Sequence, residues 1–399
     1  MQDLLGAERA KQMLDGDDCQ CEITMGFEFI EGNEAIARGA MRAKCDFFAS
    51  YPITPATSIS GYMLRALPAV GGIAIQAEDE IASMGLCIGA AMAGRKALTS
   101  TSGPGMSLYS ENIGLAIMGE TPMVIVDVQR QGPATGSATQ GAESDIQFAR
   151  WGTSGGLPVI ALSPATVEEA YELTYRAFNF AESYRTPVVL LANKEIGITK
   201  ESVDLDAIEL PPLVERKRVP SGQHVYMPHF FSTAEEVPAI SDFGGEYVAR
   251  YTTSTHDKTA NLTTQPEVIQ EMIDHYREKI EKAIDDITLV KEDLQEGADT
   301  LIISYGVTSR SVAVAIRQAR AQGRKISSLV LQTLWPAPEK VITSAMAAMK
   351  KIVVPEMNMG QYLLEIQRLA PPEADVVSVC KMDTTLLSPR EILERGGLL

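Results

Sequence analysis

Three consecutive carboxylates, Glu78, Asp79 and Glu80, interrupt the stretch GIAIQAEDEIASMGLCIGAAMAGRKALTSTSGPG (residues 72–105), which is otherwise small and largely apolar. One carboxylate is enough to cap a helix or meet its dipole, and like charges in a dry environment repel. At least one of the three therefore has a chemical partner. The strand-like GIAIQ delivers Glu80 to a sheet rim, where burial would desolvate it. Glu78 and Asp79 read as first-turn charges. Arg130 closes the apolar run PMVIVDVQ and precedes a Gly/Pro loop, so its guanidinium belongs on the same rim. There it either grips a carboxylate or phosphate or pairs with a local acid. YPITPAT (51–57) stiffens a loop with Pro52 and Pro55 and offers the hydroxyls of Thr54 and Thr57. In TSTSGPG, Gly103 and Gly105 relax a turn.

Other chemistries find little support. Neither GxGxxG nor GxxxxGK[ST] occurs, which removes the usual signature of a nicotinamide or P-loop site. GTSGG (152–156) matches GxSxG, but it precedes a strand instead of joining a strand to a helix, so Ser154 reads as a chance match. His224, His229, His256 and His275 all lie outside the first α/β region, which leaves no local metal cluster or histidine triad there. His256 and Asp257 read as an ordinary surface or linker pair. The cysteines Cys19, Cys21, Cys45, Cys87 and Cys380 are odd in number and scattered, which points to reduced thiols in the cytoplasm and to no CxxCxxC run for an iron-sulfur cluster. Cys19 and Cys21 read as solvated thiols.

The elements that position these residues alternate. From about residue 22 to 205, strand-like runs and helical patterns succeed one another with Gly, Pro or Ser punctuation, an α/β pattern with a parallel sheet. Loops at strand C-terminal ends, where such sheets bind ligands, would gather YPITPAT, QAEDE, TSGPG and VQRQGPATG on one rim. The helix IASMGLCIGAAMAG, apolar all round, would be buried on every side. Residues 206–298 are Pro-rich and polar and end in a charged helix, reading as a linker region; the alternation returns over 299–399 as a smaller α/β domain, with Gly323 ending one helix. Residues 1–21 form an acidic extension without a secretory core. The net charge of -17 and the lack of basic clusters argue against nucleic acid, and no apolar run reaches the roughly 18 residues of a membrane span.

GNEA (32–35), YPITPAT (51–57), EDEIASMG (78–85), TSGPG (101–105), ENIGLA (111–116) and VQRQGPATG (128–136), in this order, resemble the alpha subunits of the 2-oxoacid:ferredoxin oxidoreductases, most closely the 2-oxoglutarate type. The resemblance spans nearly the whole chain from about residue 26. It implies a pyrimidine-binding thiamine diphosphate domain followed by a transketolase C-terminal-like domain. It also implies that Glu80 hydrogen-bonds the cofactor aminopyrimidine and helps abstract the thiazolium C2 proton. By the same resemblance Thr54 and Arg130 hold the 2-oxoacid carboxylate, while Pro52, Ile53, Gly103 and Pro104 line the cofactor.

The implied reaction is oxidative decarboxylation to an acyl-coenzyme A, carbon dioxide and reduced ferredoxin. The chain lacks the GDG and downstream Asn that hold magnesium and diphosphate, and it lacks cluster cysteines. The resemblance thus implies a beta subunit carrying diphosphate, magnesium and an iron-sulfur cluster, gamma and possibly delta subunits, ferredoxin, and a dimer of heteromers. The family's gamma domain, fused ahead of this region in some members, is expected elsewhere. Where relatives commonly read Arg-Gly-Gly-Pro-Ser-Thr-Gly, residues 130–136 read RQGPATG, which leaves branched-chain and aryl 2-oxoacids as alternatives. A non-oxidative thiamine enzyme and a non-catalytic scaffold subunit are the remaining alternatives.

Overall fold

The computed structural model describes residues 26–223 and 225–399. Residues 1–21 with Cys19 and Cys21, and also His224, lie outside the described residues. In chain order the strands are β1 (Glu28–Glu31), β2 (Phe47–Ser50), β3 (Ile73–Gln76), β4 (Ala97–Thr101), β5 (Met123–Gln129), β6 (Ile160–Leu162), β7 (Pro187–Asn193) and β8 (Lys200–Val203). They continue with β9 (Val290–Asp293), β10 (Thr300–Tyr305), β11 (Ile326–Leu331), β12 (Thr333–Trp335), β13 (Lys351–Glu356) and β14 (Asp375–Cys380).

The larger sheet runs β12-β6-β7-β5-β4-β2-β3 and is parallel except for β12, which pairs antiparallel with β6. Its central strands, MVIVDVQ and PVVLLAN, are buried at every position, as expected for strands covered by helices on both faces. Parallel neighbours need crossovers, and the helices Thr57–Ala69, Glu80–Met92, Gly103–Met118 and Val167–Tyr184 supply them. All of these strands therefore point their C-terminal ends toward one rim. Helix Gly32–Arg42 packs so closely on Val167–Tyr184 that a Cβ at Gly39 would lie 2.4 Å from the Tyr171 carbonyl oxygen.

The second sheet runs β14-β13-β10-β11-β9 and is parallel except for β9; β1 and β8 form a separate antiparallel ribbon. The two α/β units share a core. Ile125 and Val189 of the first belong to one apolar cluster with Leu301, Leu329 and Trp335 of the second. Buried Glu143 adds a polar tie, accepting from Asn193 Nδ2 (2.9 Å), the Val307 amide (2.8 Å) and Thr308 Oγ1 (2.9 Å).

The Pro-rich segment between the units is tied down by buried cations. Arg185 donates to the carbonyls of Glu120, Pro228 and Pro238, and Arg216 makes a buried ion pair with Glu182 at 2.8 Å. His256 is not the surface residue expected from sequence: it is buried, its ring 4.2 Å from that of His229, with Nε2 3.1 Å from the Tyr276 hydroxyl. The segment packs onto the first unit instead of running over it, which is what buries the histidine.

Candidate active site

β3 ends at Gln76, four residues before Glu80, and Glu80 opens helix Glu80–Met92. Asp79 caps that helix, accepting from the Ala82 amide at 2.7 Å. Glu78 and Asp79 are exposed, whereas Glu80 is only 7 % exposed. The three adjacent acids thus divide into solvated charges and one buried group. Its carboxylate has no hydrogen-bond partner among the described residues, and it lies against Gly105. A Cβ at Gly105 would sit 3.1 Å from Glu80 Oε1 and 1.9 Å from Thr101 Oγ1, so only glycine lets the loop approach the acid.

The helix itself differs from expectation. Its apolar surface is not buried all round: Ile81 and Leu86 are exposed, as is Leu108 on the neighbouring helix. Small apolar residues here serve an uncovered face as well as a packed one.

Arg130, directly after β5, is 6 % exposed and donates from Nη1 to the Thr54 carbonyl oxygen at 2.7 Å. No ion pair to Arg130 forms among the described residues, and its buried Nε has no acceptor. Thr54 is exposed, and Pro52 and Ile53 are half-buried. Asn33 holds the loop from beneath, its Nδ2 donating to the Pro55 carbonyl (2.8 Å) and Ser58 Oγ (2.9 Å). Gly103 and Pro104, both half-buried, open helix Gly103–Met118, with Pro104 in its first turn. Ser102 precedes them with a buried hydroxyl that has no partner.

Two acids that sequence reasoning passed over lie under this loop. Asp127 on β5 is fully buried, and neither carboxylate oxygen has a hydrogen-bond donor. Asp145 accompanies it; its Oδ2 is also buried without a donor and would lie 3.0 Å from a Cβ at Gly103. Burial, then the neighbouring Asp145, pushes Asp127 well above the usual carboxyl range. Burial pushes Asp145 up to about 6, opposed by the neighbouring Asp127 carboxyl and by the Arg130 charge. A proton on Asp127 gives the pair the donor that two carboxylates lack. The available signal was a single acid inside the otherwise apolar MVIVDV.

A cleft of about 660 Å³ between helix Ile146–Trp151 and the second unit contains none of these residues. Of the cations that line it, Lys340 is paired with Asp285 and Arg368 with Glu339, while Arg150 donates to the Leu157 carbonyl and lies over the Trp151 ring. The unpartnered polar groups gathered around Glu80 and Arg130 make that rim the candidate site.

Residues 38–275 match the family model described as pyruvate flavodoxin/ferredoxin oxidoreductase, thiamine diphosphate-binding, and residues 298–392 match pyruvate:ferredoxin oxidoreductase core domain II. The 2-oxoglutarate synthase subunit KorA of Methanothermobacter marburgensis is 42% identical over 373 residues, covering 92% of this chain and 97% of that relative. The chain belongs to the 2-oxoacid:ferredoxin oxidoreductase alpha subunits. A solved 2-oxoglutarate:ferredoxin oxidoreductase from Magnetococcus marinus, with 2-oxoglutarate, coenzyme A and succinyl-CoA bound, superimposes with a TM-score of 0.86 at 31% identity. That match covers 93% of this chain and 64% of the solved one, so this chain spans about two thirds of that protein's length. A split-gene transketolase matches with a TM-score of 0.53 at 12% identity, a likeness of fold alone. The residues present suit the family's cofactor: a buried, partnerless carboxylate beside a glycine is a site able to hold a ring nitrogen, and the chain takes the α/β architecture of thiamine-dependent enzymes.

Proposed function

We propose that this chain is the pyrimidine-holding alpha subunit of an enzyme that oxidatively decarboxylates a 2-oxoacid, 2-oxoglutarate by preference, to its coenzyme A thioester with reduction of ferredoxin. The observation that carries the reading is the Glu80 carboxylate, buried against Gly105 without a partner, in a chain of this family. When bound, thiamine diphosphate supplies the nucleophilic carbon and the electron sink that cleavage next to a carbonyl needs. Glu80 would hold the aminopyrimidine ring through a hydrogen bond to its ring nitrogen, the place from which proton exchange with that ring would run. Pro52, Ile53, Gly103 and Pro104 form the walls of that half-site. Arg130, already fixed by the Thr54 carbonyl, presents its remaining donors to the substrate carboxylate, and the exposed Thr54 hydroxyl joins them.

Residues 22–205 act as the cofactor-binding domain and 299–399 as its transketolase-like companion, joined by 206–298; residues 1–21 precede them. Magnesium and diphosphate are held by a beta subunit that also carries an iron-sulfur cluster, with gamma and possibly delta subunits completing a cytoplasmic dimer of heteromers. The exposed Ile81, Leu86 and Leu108 beside Glu80 support a partner covering this rim. Thiols Cys45 and Cys87, buried and free, suit a reducing compartment.

Anaerobic purification of the native complex with a screen of 2-oxoacids tests the reading. Viologen reduction dependent on both coenzyme A and 2-oxoglutarate is expected. Aldehyde or acyloin without electron transfer would overturn it, as would a complex with no thiamine.

A further inference from the structure

Behind Arg130 stand the two acids that the reaction described above does not use. Asp127 is central in β5 with both oxygens buried and without donors, and Asp145 presses one such oxygen toward Gly103 of the cofactor loop. Gln129 locks the geometry: its Oε1 accepts from the Asp145 amide at 3.0 Å while its Nε2 donates to the Ala192 carbonyl at 3.1 Å. Among the described residues Arg130 is the one cation that acts on the pair, and the two acids act on each other. We infer that Asp127 and Asp145 form a proton-sharing pair behind Arg130 that holds one proton at rest and takes up a second when a substrate carboxylate binds to the guanidinium. The inference rests on the proposed substrate role of Arg130.

The charge count explains the coupling. At rest the pair with one proton carries a single negative charge, which Arg130 offsets. An incoming carboxylate cancels the guanidinium's field, and Asp145, no longer stabilised as an anion, draws a proton from solvent. The sign follows: with its acid near 6 in the free enzyme and higher in the complex, substrate binds best when the second proton is available and more weakly as pH rises. Asp127 and Asp145 are positioning residues, acting through Arg130.

The test is the KM for 2-oxoglutarate, measured in the assembled complex by coenzyme A-dependent viologen reduction from pH 6 to 8. The substrate's carboxylates stay ionised throughout, so the slope belongs to the protein. Wild-type KM should rise by about fivefold across this range, the part of a one-unit upward shift from about 6 that falls between pH 6 and 8. Asp145→Asn, a fixed stand-in for the doubly protonated pair, should keep KM flat. Asp127→Asn, which still offers Asp145 a donor, should retain the wild-type slope. A flat wild-type profile overturns the inference, and so does an unchanged slope in Asp145→Asn. If that variant does not assemble, loss of the slope in Asp127→Asn overturns it. An active complex with flat KM defeats this inference alone, whereas a complex inactive with every 2-oxoacid defeats the functional reading beneath it.

Discussion

Helix Gly103–Met118 has a buried glutamate near each end, and the two are treated in opposite ways. At the C-terminal end Glu120 is saturated: Oε1 accepts from Lys279 Nζ at 2.6 Å and His275 Nε2 at 2.8 Å, and Oε2 lies 2.9 Å from His229 Nδ1. Burial opposes its ionisation, but Lys279, Arg185 and the two histidines outweigh that and hold it well below the usual range. At the N-terminal end the Glu80 carboxylate meets no donor among the described residues, and the buried Ser102 hydroxyl nearby has no partner there either. A buried charge with every lone pair answered fixes a segment of chain. A buried carboxylate left open is a place for something else to bind. The saturated acid and the proposed site therefore lie at opposite rims of one sheet, with ligands expected at the strand C-terminal side.

The sharpest way to break this contrast is Glu80→Gln. It should reduce turnover by a factor on the order of 10³ while the complex still assembles, because an amide fills the site but cannot accept the proton. Near-normal steady-state turnover would leave Glu80 as packing and favour a scaffold subunit. Lys279→Met attacks the other end. It leaves Glu120 buried with one cation fewer and should cost about 3–5 kcal/mol in urea unfolding, with little effect on KM. A loss under about 1 kcal/mol would show that the saturated cluster is not what secures the segment.

Smaller effects sharpen the comparison. Arg130→Ala should raise the 2-oxoacid KM by about tenfold to a hundredfold while thiamine binding changes little; an unchanged KM removes Arg130 from the substrate site. Gly105→Ala should lower kcat by displacing Glu80, since the added methyl meets Thr101 Oγ1 and Glu80 Oε1. Burial, more than its bond to Glu120 can restore, pushes His229 from 6.5 to about 4. The folded state thus binds fewer protons there than the unfolded one, so stability should decline as pH falls from about 6.5 toward 4, and His229→Gln should flatten that part of a melting-temperature profile. A decline unaltered by the substitution would place the acid sensitivity elsewhere.

Much of this was legible from the chain. The alternation of apolar strands and helices fixed a parallel α/β sheet, since buried parallel strands must be apolar on both faces and need crossovers. That in turn put Glu80, Thr54 and Arg130 on one rim. The Asp79 cap follows from local rules of helix starts. Ile81 and Leu86 were misjudged, because an apolar helix face does not say whether it meets its own core or a partner.

The sequence by itself determined which residue types arrive at the rim and in what order, because local period and loop chemistry are properties of short segments. Only the tertiary structure decided which of them have partners. Glu120 finds Lys279 from 159 residues away, whereas the buried Glu80 meets no donor among the described residues. Burial, and whether a donor lies within reach, depend on segments distant in the chain coming together, so the distinction between an acid that holds the fold and one that waits for a ligand appears only in three dimensions.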